Sequence, residues 1–318
     1  MDENRLFSII VPVFNRQNKL NHTLSSLASQ SYRPLEIVLV DNASTDDSLS
    51  ICMYFKEKHQ GSDLSVQVLS EPKPGANAAR NTGFRASKGD YLLFFDSDDL
   101  LYSDSLSIIF SHIYRHGFPE AVAFPFILRF PDGKTSRRPH RYSSDPASQL
   151  FDTVIATHNI CIKRSLMEKT SLWDENLSRW QDLEFGFRLL LNIKNLFWIK
   201  GSPLYEVSVH DDSISGKTFS SDHYSLGKAL EKIQNIIELL PEGNKKDHIQ
   251  RGLSFKFCSL ASQIKLENNS DLSHKYLDEA ISKLPANRNR FSRSILRFHY
   301  YYSGNGGRGF WRAAEKLL

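Results

Sequence analysis

Three carboxylates crowd into the four residues Asp96-Ser97-Asp98-Asp99, directly after the apolar run Tyr91-Leu92-Leu93-Phe94-Phe95. Carboxylates this close repel one another unless a cation neutralises them. A hard divalent cation suits such a cluster, and Mg²⁺ typically takes one or two carboxylates and completes its shell from substrate phosphates. The bland alternative is an Asp-rich turn and cap before a helix over Tyr102–His116. Two more polar clusters follow apolar runs: Asn15-Arg16 after Phe7–Val13, and Asp41-Asn42-Ala43-Ser44-Thr45-Asp46 after Glu36–Val40. In open parallel α/β sheets, ligands bind beyond the carboxyl ends of the strands. Three polar strand ends therefore point to one shared site.

Two glycine cradles for nucleotides are missing. Pro12-Val13-Phe14-Asn15-Arg16 stands where a GxGxxG fingerprint would follow the first strand, and no GxxxxGK[ST] occurs. A nucleotide would have to be held by side chains and a metal. A nucleotidyltransferase, which also pairs a parallel sheet with an acidic metal site, typically carries a Gly-rich basic loop after its first strand, and this chain lacks one.

The elements that must position these residues read as alternating strand and helix. Strands are expected at Phe7–Val13, Glu36–Val40, Val66–Leu69 and Tyr91–Phe95. Helices are expected at Gln17–Gln30, Asp46–Lys58 and Ala76–Ala86. This alternation predicts βαβ units and a mostly parallel sheet. A mixed region follows, with a strand over Ala121–Phe130, short helices at Pro146–Asp152 and Arg164–Lys169, an amphipathic helix at Asp182–Asn192 and a strand at Leu204–Val209. Beyond about residue 220 the pattern is helical only, with breaks at Pro241-Glu242-Gly243, Asn268-Asn269-Ser270 and Pro285-Ala286-Asn287. The expected organisation is an α/β domain over 1–220 and a helical module over 221–318.

Six segments resemble the family-2 inverting glycosyltransferases, which have the GT-A fold, a Rossmann-like sheet. They run from Ser8-Ile9-Ile10-Val11-Pro12-Val13-Phe14-Asn15, through Glu36–Asp46 and Pro74–Gly83, to the DxD-like Lys88–Asp99. Trp180-Gln181-Asp182-Leu183-Glu184 is similar to the base-bearing helix, and His210-Asp211-Asp212-Ser213-Ile214-Ser215 to the closing His-x-x-Ser-x-Ser. The resemblance implies transfer of a sugar from a nucleotide diphosphate donor, most often a UDP-sugar, to a hydroxyl of a glycan or lipid-linked glycan. It implies that Asp41 binds the base, that Asp96 lies near the ribose, and that Pro12, Phe14, Asn15, Asn77, Arg80 and Ser97 line the nucleotide-sugar site. Asp98 would hold Mg²⁺ or Mn²⁺, and His210 would be a further ligand to metal or phosphate. Asp182 would be the general base, with Glu184 its nearest rival. Two positions depart from the family pattern. Asn42-Ala43 replaces Asp-Gly in the nucleotide loop, and Gln181 replaces a Glu before the base. A decayed, non-catalytic glycan- or membrane-binding protein is the remaining alternative; intact Asp41, Asp96, Asp98 and Asp182 speak against it.

The end of the chain is basic and aromatic. Residues 288–318 carry seven Arg or Lys against the single acid Glu315, interleaved with Phe291, Phe298, Tyr300, Tyr301, Tyr302, Phe310 and Trp311. Such a stretch reads either as a helical cap with solvated arginines or as peripheral contact with an anionic membrane. No nucleic-acid motif accompanies it. Three widely spaced cysteines, an acidic Met1-Asp2-Glu3 start and the absence of any apolar run of membrane length lead us to expect a cytoplasmic protein, with the inner membrane face as its site of contact.

Overall fold

The computed structural model describes residues 5–137, 141–210, 218–285 and 290–318. Strands β1 (Phe7–Val13) and β2 (Leu35–Asp41) are buried at every position, as continuous apolar runs covered on both faces require. Between them α1 (Leu20–Ala28) buries Leu20, Leu24 and Leu27 on one stripe. The alternation continues through α2 (Ser48–His59), β3 (Leu64–Ser70), α3 (Ala76–Ala86) and β4 (Tyr91–Phe94). Gly75 takes φ 123°, which side-chain-bearing residues avoid, and so turns the chain into α3. A Cβ at Gly83 would collide with Ile10 Cγ2, so glycine lets α3 lie directly on β1.

After β4 come β5 (Leu100–Leu101), α4 (Ser105–Arg115), β6 (Ala121–Ala123), β7 (Phe126–Arg129), β8 (Thr135–Ser136), α5 (Pro146–Phe151), β9 (Ile160–Lys163), α6 (Arg164–Thr170), α7 (Gln181–Asn192), β10 (Leu196–Trp198) and β11 (Tyr205–Ser208). The single strand expected over Ala121–Phe130 is two strands broken at Phe124-Pro125. Proline has no N–H to give to a ladder, so β6 and β7 enter different sheets. The larger sheet has the order β10-β6-β9-β4-β1-β2-β3. All its pairs are parallel except those that β9 makes with β4 and β6. A mostly parallel α/β sheet is what the alternation predicts. In its register Val13 faces Asp41 and Ile10 faces Phe94, which brings the polar ends of β1, β2 and β4 side by side. The smaller sheet runs β5-β11-β7-β8.

Helices α8 (His223–Glu238), α9 (Asn244–Leu266), α10 (Ser270–Ser282), α11 (Arg290–Ser303) and α12 (Trp311–Leu317) complete the chain, as the helical module predicts. Residues 1–142, 155–178 and 192–211 form one compact unit; 143–154, 179–191 and 212–318 form another. A linear boundary at residue 220 does not describe these units. The second takes in α5 and most of α7, because Ala147, Leu150, Phe151, Leu183 and Phe187 share a core with Leu230, Leu253, Leu260 and Leu296.

His299 is buried in that core, and Ser259 Oγ and Ser303 Oγ each lie 3.1 Å from one of its ring nitrogens. Burial, with Lys256 nearby, pushes its pKa down to about 4. The unfolded chain therefore binds a proton near pH 6.5 that the folded chain refuses until about pH 4. Stability is lost as pH falls through that window, by on the order of 3 kcal/mol for this residue. Urea unfolding at pH 7 and pH 4.5 should show a smaller pH difference for His299→Gln than for the parent chain. An unchanged difference would remove His299 as a source of it.

Candidate active site

Within the first unit, the end of β4 leads into the acidic turn. Thr23 Oγ1, on α1, donates to the carbonyls of Ser97 at 3.1 Å and Asp99 at 3.0 Å and fixes the turn from below. Asp99 is buried; its carboxylate accepts from Tyr205 Oη at 2.9 Å and Ser208 N at 2.8 Å, tying the turn to β11. Burial above all, and then the charges of Asp96 and Asp98, raise the Asp99 pKa well above the usual carboxylate range. The three carboxylates thus have different jobs. Asp99 is structural, whereas Asp96 and Asp98 keep part of their surface open.

Asp98 Oδ2 lies 2.7 Å from His210 Nε2 and 3.3 Å from Arg16 Nε. His210 follows β11 and Arg16 follows β1, so three elements distant in sequence meet at one carboxylate oxygen. Among the described residues the buried Nδ1 atom of His210 has no hydrogen-bond partner. Among the described residues there is no group of three or more His, Cys, Asp or Glu side chains fit to hold a metal. One carboxylate oxygen and one imidazole nitrogen nevertheless converge on a single point. That pair fits a divalent cation taking its other ligands from a diphosphate, and imidazole favours Mn²⁺ somewhat over Mg²⁺.

Asp96 Oδ1 accepts from Arg80 Nη2 at 2.9 Å. Arg80 is buried, with its guanidinium turned toward the acidic turn and away from solvent. It also donates to Asn77 Oδ1 at 3.0 Å and lies 4.9 Å from the Trp173 ring centroid. Asn77 in turn donates to the Asp174 carbonyl at 2.7 Å. Pro12 is buried in β1, and Phe14 just beyond it is exposed. Asn15 Oδ1 accepts the Thr45 N–H at 2.8 Å, and Ser44 Oγ accepts the Asn15 N–H at 3.1 Å, so the β1 and β2 loops clasp each other. Asp41 is buried. Its Oδ2 accepts from Ser44 N at 3.3 Å, while Oδ1 has no partner among the described residues. A buried bare carboxylate oxygen is costly to keep and marks a place for a donor group.

Sequence reasoning gave Asn42 no role beyond departing from a pattern. Its amide is fully used: Nδ2 donates to the carbonyls of Glu71 and Lys73 at 2.8 and 2.7 Å, and Oδ1 accepts from Gly75 N at 2.8 Å. This pins the β2 loop to the segment that enters α3. A carboxylate cannot donate, so Asn42→Asp would set charge against two carbonyl oxygens. Chemical denaturation should show a loss of roughly 2–4 kcal/mol, the cost of buried groups left unpaired and one left charged. A loss below 0.5 kcal/mol would mean the clamp carries no weight. Thr23 and Tyr205 were missed as well, since nothing in a pattern of periods or strand ends couples α1 or β11 to the acidic turn, and Arg16 was legible only as part of the polar end of β1.

Asp182 lies in the second unit, in the first turn of α7, partly exposed, and its carbonyl accepts from Gln149 Nε2 at 3.0 Å. Glu184 is buried and paired with Arg188 by two hydrogen bonds of 2.6 and 3.0 Å. Trp180 packs at the edge of the helical core, with Lys256 Nζ 5.5 Å from its ring centroid. Asn159 and Cys161 are core residues, and the His158 ring lies 4.1 Å from that of Phe126. Ser213 and Ser215 lie outside the described residues.

A mostly parallel sheet with polar residues at the ends of β4, β1 and β2 is that of an α/β protein whose ligand site lies beyond the carboxyl ends of its strands. The particular family follows from comparison. The model for glycosyl transferase family 2 matches residues 8–174, more than half of the 318-residue chain, and the chain belongs to that family. The minor teichoic acid biosynthesis protein GgaA of Bacillus subtilis is 24% identical over 232 residues, covering 69% of this chain and 51% of GgaA. The chain spans about half the length of GgaA and 16% to 39% of two further curated relatives. Among solved structures, S. aureus TarS 1-349 in complex with UDP-GlcNAc aligns with a TM-score of 0.69 at 18% identity, covering 98% of this chain and 90% of that one. The mannosyltransferase PcManGT of Pyrobaculum calidifontis, in complex with GDP-Man and Mn²⁺, aligns with a TM-score of 0.59 at 15% identity, covering 99% and 84%. These likenesses establish the fold as GT-A.

Proposed function

We propose that the chain is a metal-dependent, inverting glycosyltransferase that moves a hexose or N-acetylhexosamine from a UDP-sugar to a hydroxyl of a cell-envelope glycan or lipid-linked glycan. The observation that carries this reading is the meeting of Asp98, His210 and Arg16 at one point beside the strand ends. Family membership supports transfer chemistry. UDP-GlcNAc in TarS supports the donor, and the teichoic acid role in the name of GgaA supports an envelope acceptor. We take residues 1–220, which draw on both compact units, as the transferase region.

The roles of the residues follow from their chemistry. Asp41 Oδ1 accepts the N3–H of uracil, Asn15, Ser97 and Arg80 face the nucleotide with Asp96 near the ribose, and Pro12, Phe14 and Asn77 shape its pocket. Asp98 and His210 would hold Mg²⁺ or Mn²⁺, which as a Lewis acid offsets the negative charge that builds on the departing diphosphate. Arg16, already beside Asp98, adds a fixed positive charge for the same phosphates. Asp182 takes the proton of the acceptor hydroxyl as its oxygen bonds to the anomeric carbon and the bond from that carbon to the phosphate oxygen breaks. One displacement gives inversion, with no carboxylate nucleophile.

Calorimetric titration with UDP, CDP and ADP, with and without Mn²⁺, tests the reading. Cytosine and adenine present a ring-nitrogen acceptor where uracil presents N–H, so against Asp41 Oδ1 each should bind at least tenfold more weakly, about 1.4 kcal/mol. Equal affinity for all three would sink the donor assignment. No helix among the described residues is long and apolar enough to cross a membrane. We place the protein at the cytoplasmic face of the membrane, in peripheral contact through 288–318.

A further inference from the structure

Helix α11 has two faces, and both are unusual. The inner face buries Ile295, Leu296, His299 and Tyr300 in the helical core. The outer face should be polar for a helix in water. Instead it exposes Phe291 (56%), Phe298 (55%), Tyr301 (56%) and Tyr302 (42%), side by side with the exposed Arg290, Arg293 and Arg297. The aromatics form a platform: the rings of Phe298 and Tyr302 stack at 5.8 Å, and Phe310 lies 5.0 Å from Phe298. Residues 290–318 hold six Arg or Lys against one Glu, and Arg308, Arg312 and Lys316 are exposed too. About half of each of these side chains stays in water, even where Tyr302 Oη donates to the Arg308 carbonyl at 3.2 Å and Lys265 Nζ lies 4.5 Å from the Tyr301 ring centroid.

Aromatic rings flanked by arginines match the interface of an anionic bilayer. The rings settle at the boundary of headgroups and acyl chains, and the guanidinium groups meet lipid phosphates. We propose that the outer face of α11, extended by Arg308, Phe310 and Arg312, docks this chain on an anionic lipid surface. Each Arg near such a surface favours binding by about fivefold. Nucleic acid would use the arginines but leave the clustered Phe298, Tyr302 and Phe310 rings without a stacking strand of defined path. A second copy of the chain would set like charges against each other. The inference deepens the membrane placement in the reading above, and its test reads lipid binding and not transfer, so either can fail alone.

The test is cosedimentation of the full chain with vesicles of phosphatidylcholine alone and with 30% phosphatidylglycerol, at low and at physiological salt. We expect at least tenfold stronger partitioning onto the anionic vesicles, weakened by salt. Arg293→Glu/Arg297→Glu should lose at least tenfold. Phe298→Ser/Tyr302→Ser should lose several-fold and make the residual binding more salt-sensitive, because only charge remains. All four positions are exposed, so thermal melting should stay within 2–3 °C of the parent and report any unfolding. Because each variant touches only one half of the face, a misfolded double variant leaves the other to decide. Equal binding to neutral and anionic vesicles, or full binding by both double variants, would overturn the proposal. So would tighter binding to single-stranded RNA or to polyphosphate than to the anionic vesicles, or a concentration-dependent dimer that the same substitutions dissolve.

Discussion

Asp182→Asn should lower kcat for transfer by about 10²–10⁴, the usual worth of a positioned base, and leave the Kd for UDP within twofold. Asparagine keeps the shape of aspartate, so α7 retains its buried Leu183, Phe187 and Leu189 and the hydrogen bond from Gln149 to the residue 182 carbonyl. What disappears is the capacity to take a proton, which matters in the transition state and not in the bound ground state. The rival carboxylate is a natural control. Glu184 is buried and held in a two-bond pair with Arg188, so it has neither the access nor the spare valence of a base. Glu184→Gln should cost roughly 1–3 kcal/mol of stability, less than a fully buried pair because Arg188 keeps some solvent, and leave kcat within a few-fold in the folded protein. If Glu184→Gln abolishes transfer and Asp182→Asn does not, the base is misassigned.

A second large effect is expected at the metal site. In the presence of Mn²⁺, Asp98→Asn should weaken UDP binding at least tenfold, about 1.4 kcal/mol, and bring donor hydrolysis to background. A site with two protein ligands has none to spare, and the amide oxygen carries no charge. Without Mn²⁺ the variant should bind UDP at least as well as the parent, since a negative charge has left the neighbourhood of the phosphates. Titration with and without metal separates the two contributions. Equal metal-dependent affinity in both proteins would take Asp98 out of the site.

The difference between what sequence could and could not tell is physical. Helix α3 matches its expected span because Pro74-Gly75 and Ser87-Lys88-Gly89 punctuate it locally. Strand β9 was not anticipated. Three apolar residues and a lysine carry no period, and its place between β4 and β6, antiparallel to both, is set by long-range pairing. For β6 and β7, the sequence shows apolar character, while the sheet each joins depends on how the chain turns after Pro125. At the site, Asp96, Asp98 and Asp41 were legible because they sit at strand ends. The division of labour among them was not, because it is made by Tyr205, Thr23, Arg16 and Arg80, which approach from other elements. The aromatic tail was legible as composition. Which rings turn outward depends on the packing of α11.

An inverting transferase displaces the nucleotide diphosphate from the anomeric carbon in a single step. Proton NMR of the purified chain with Mn²⁺ and a panel of UDP-sugars, recorded before the freed sugar mutarotates, tests it most directly. Slow release of UDP should appear together with a sugar whose first-formed anomer is opposite to that of the donor, and this signal should be lost in Asp98→Asn. First release of the same anomer as the donor, or consumption of pyrophosphate with transfer of a nucleotidyl group, would contradict it.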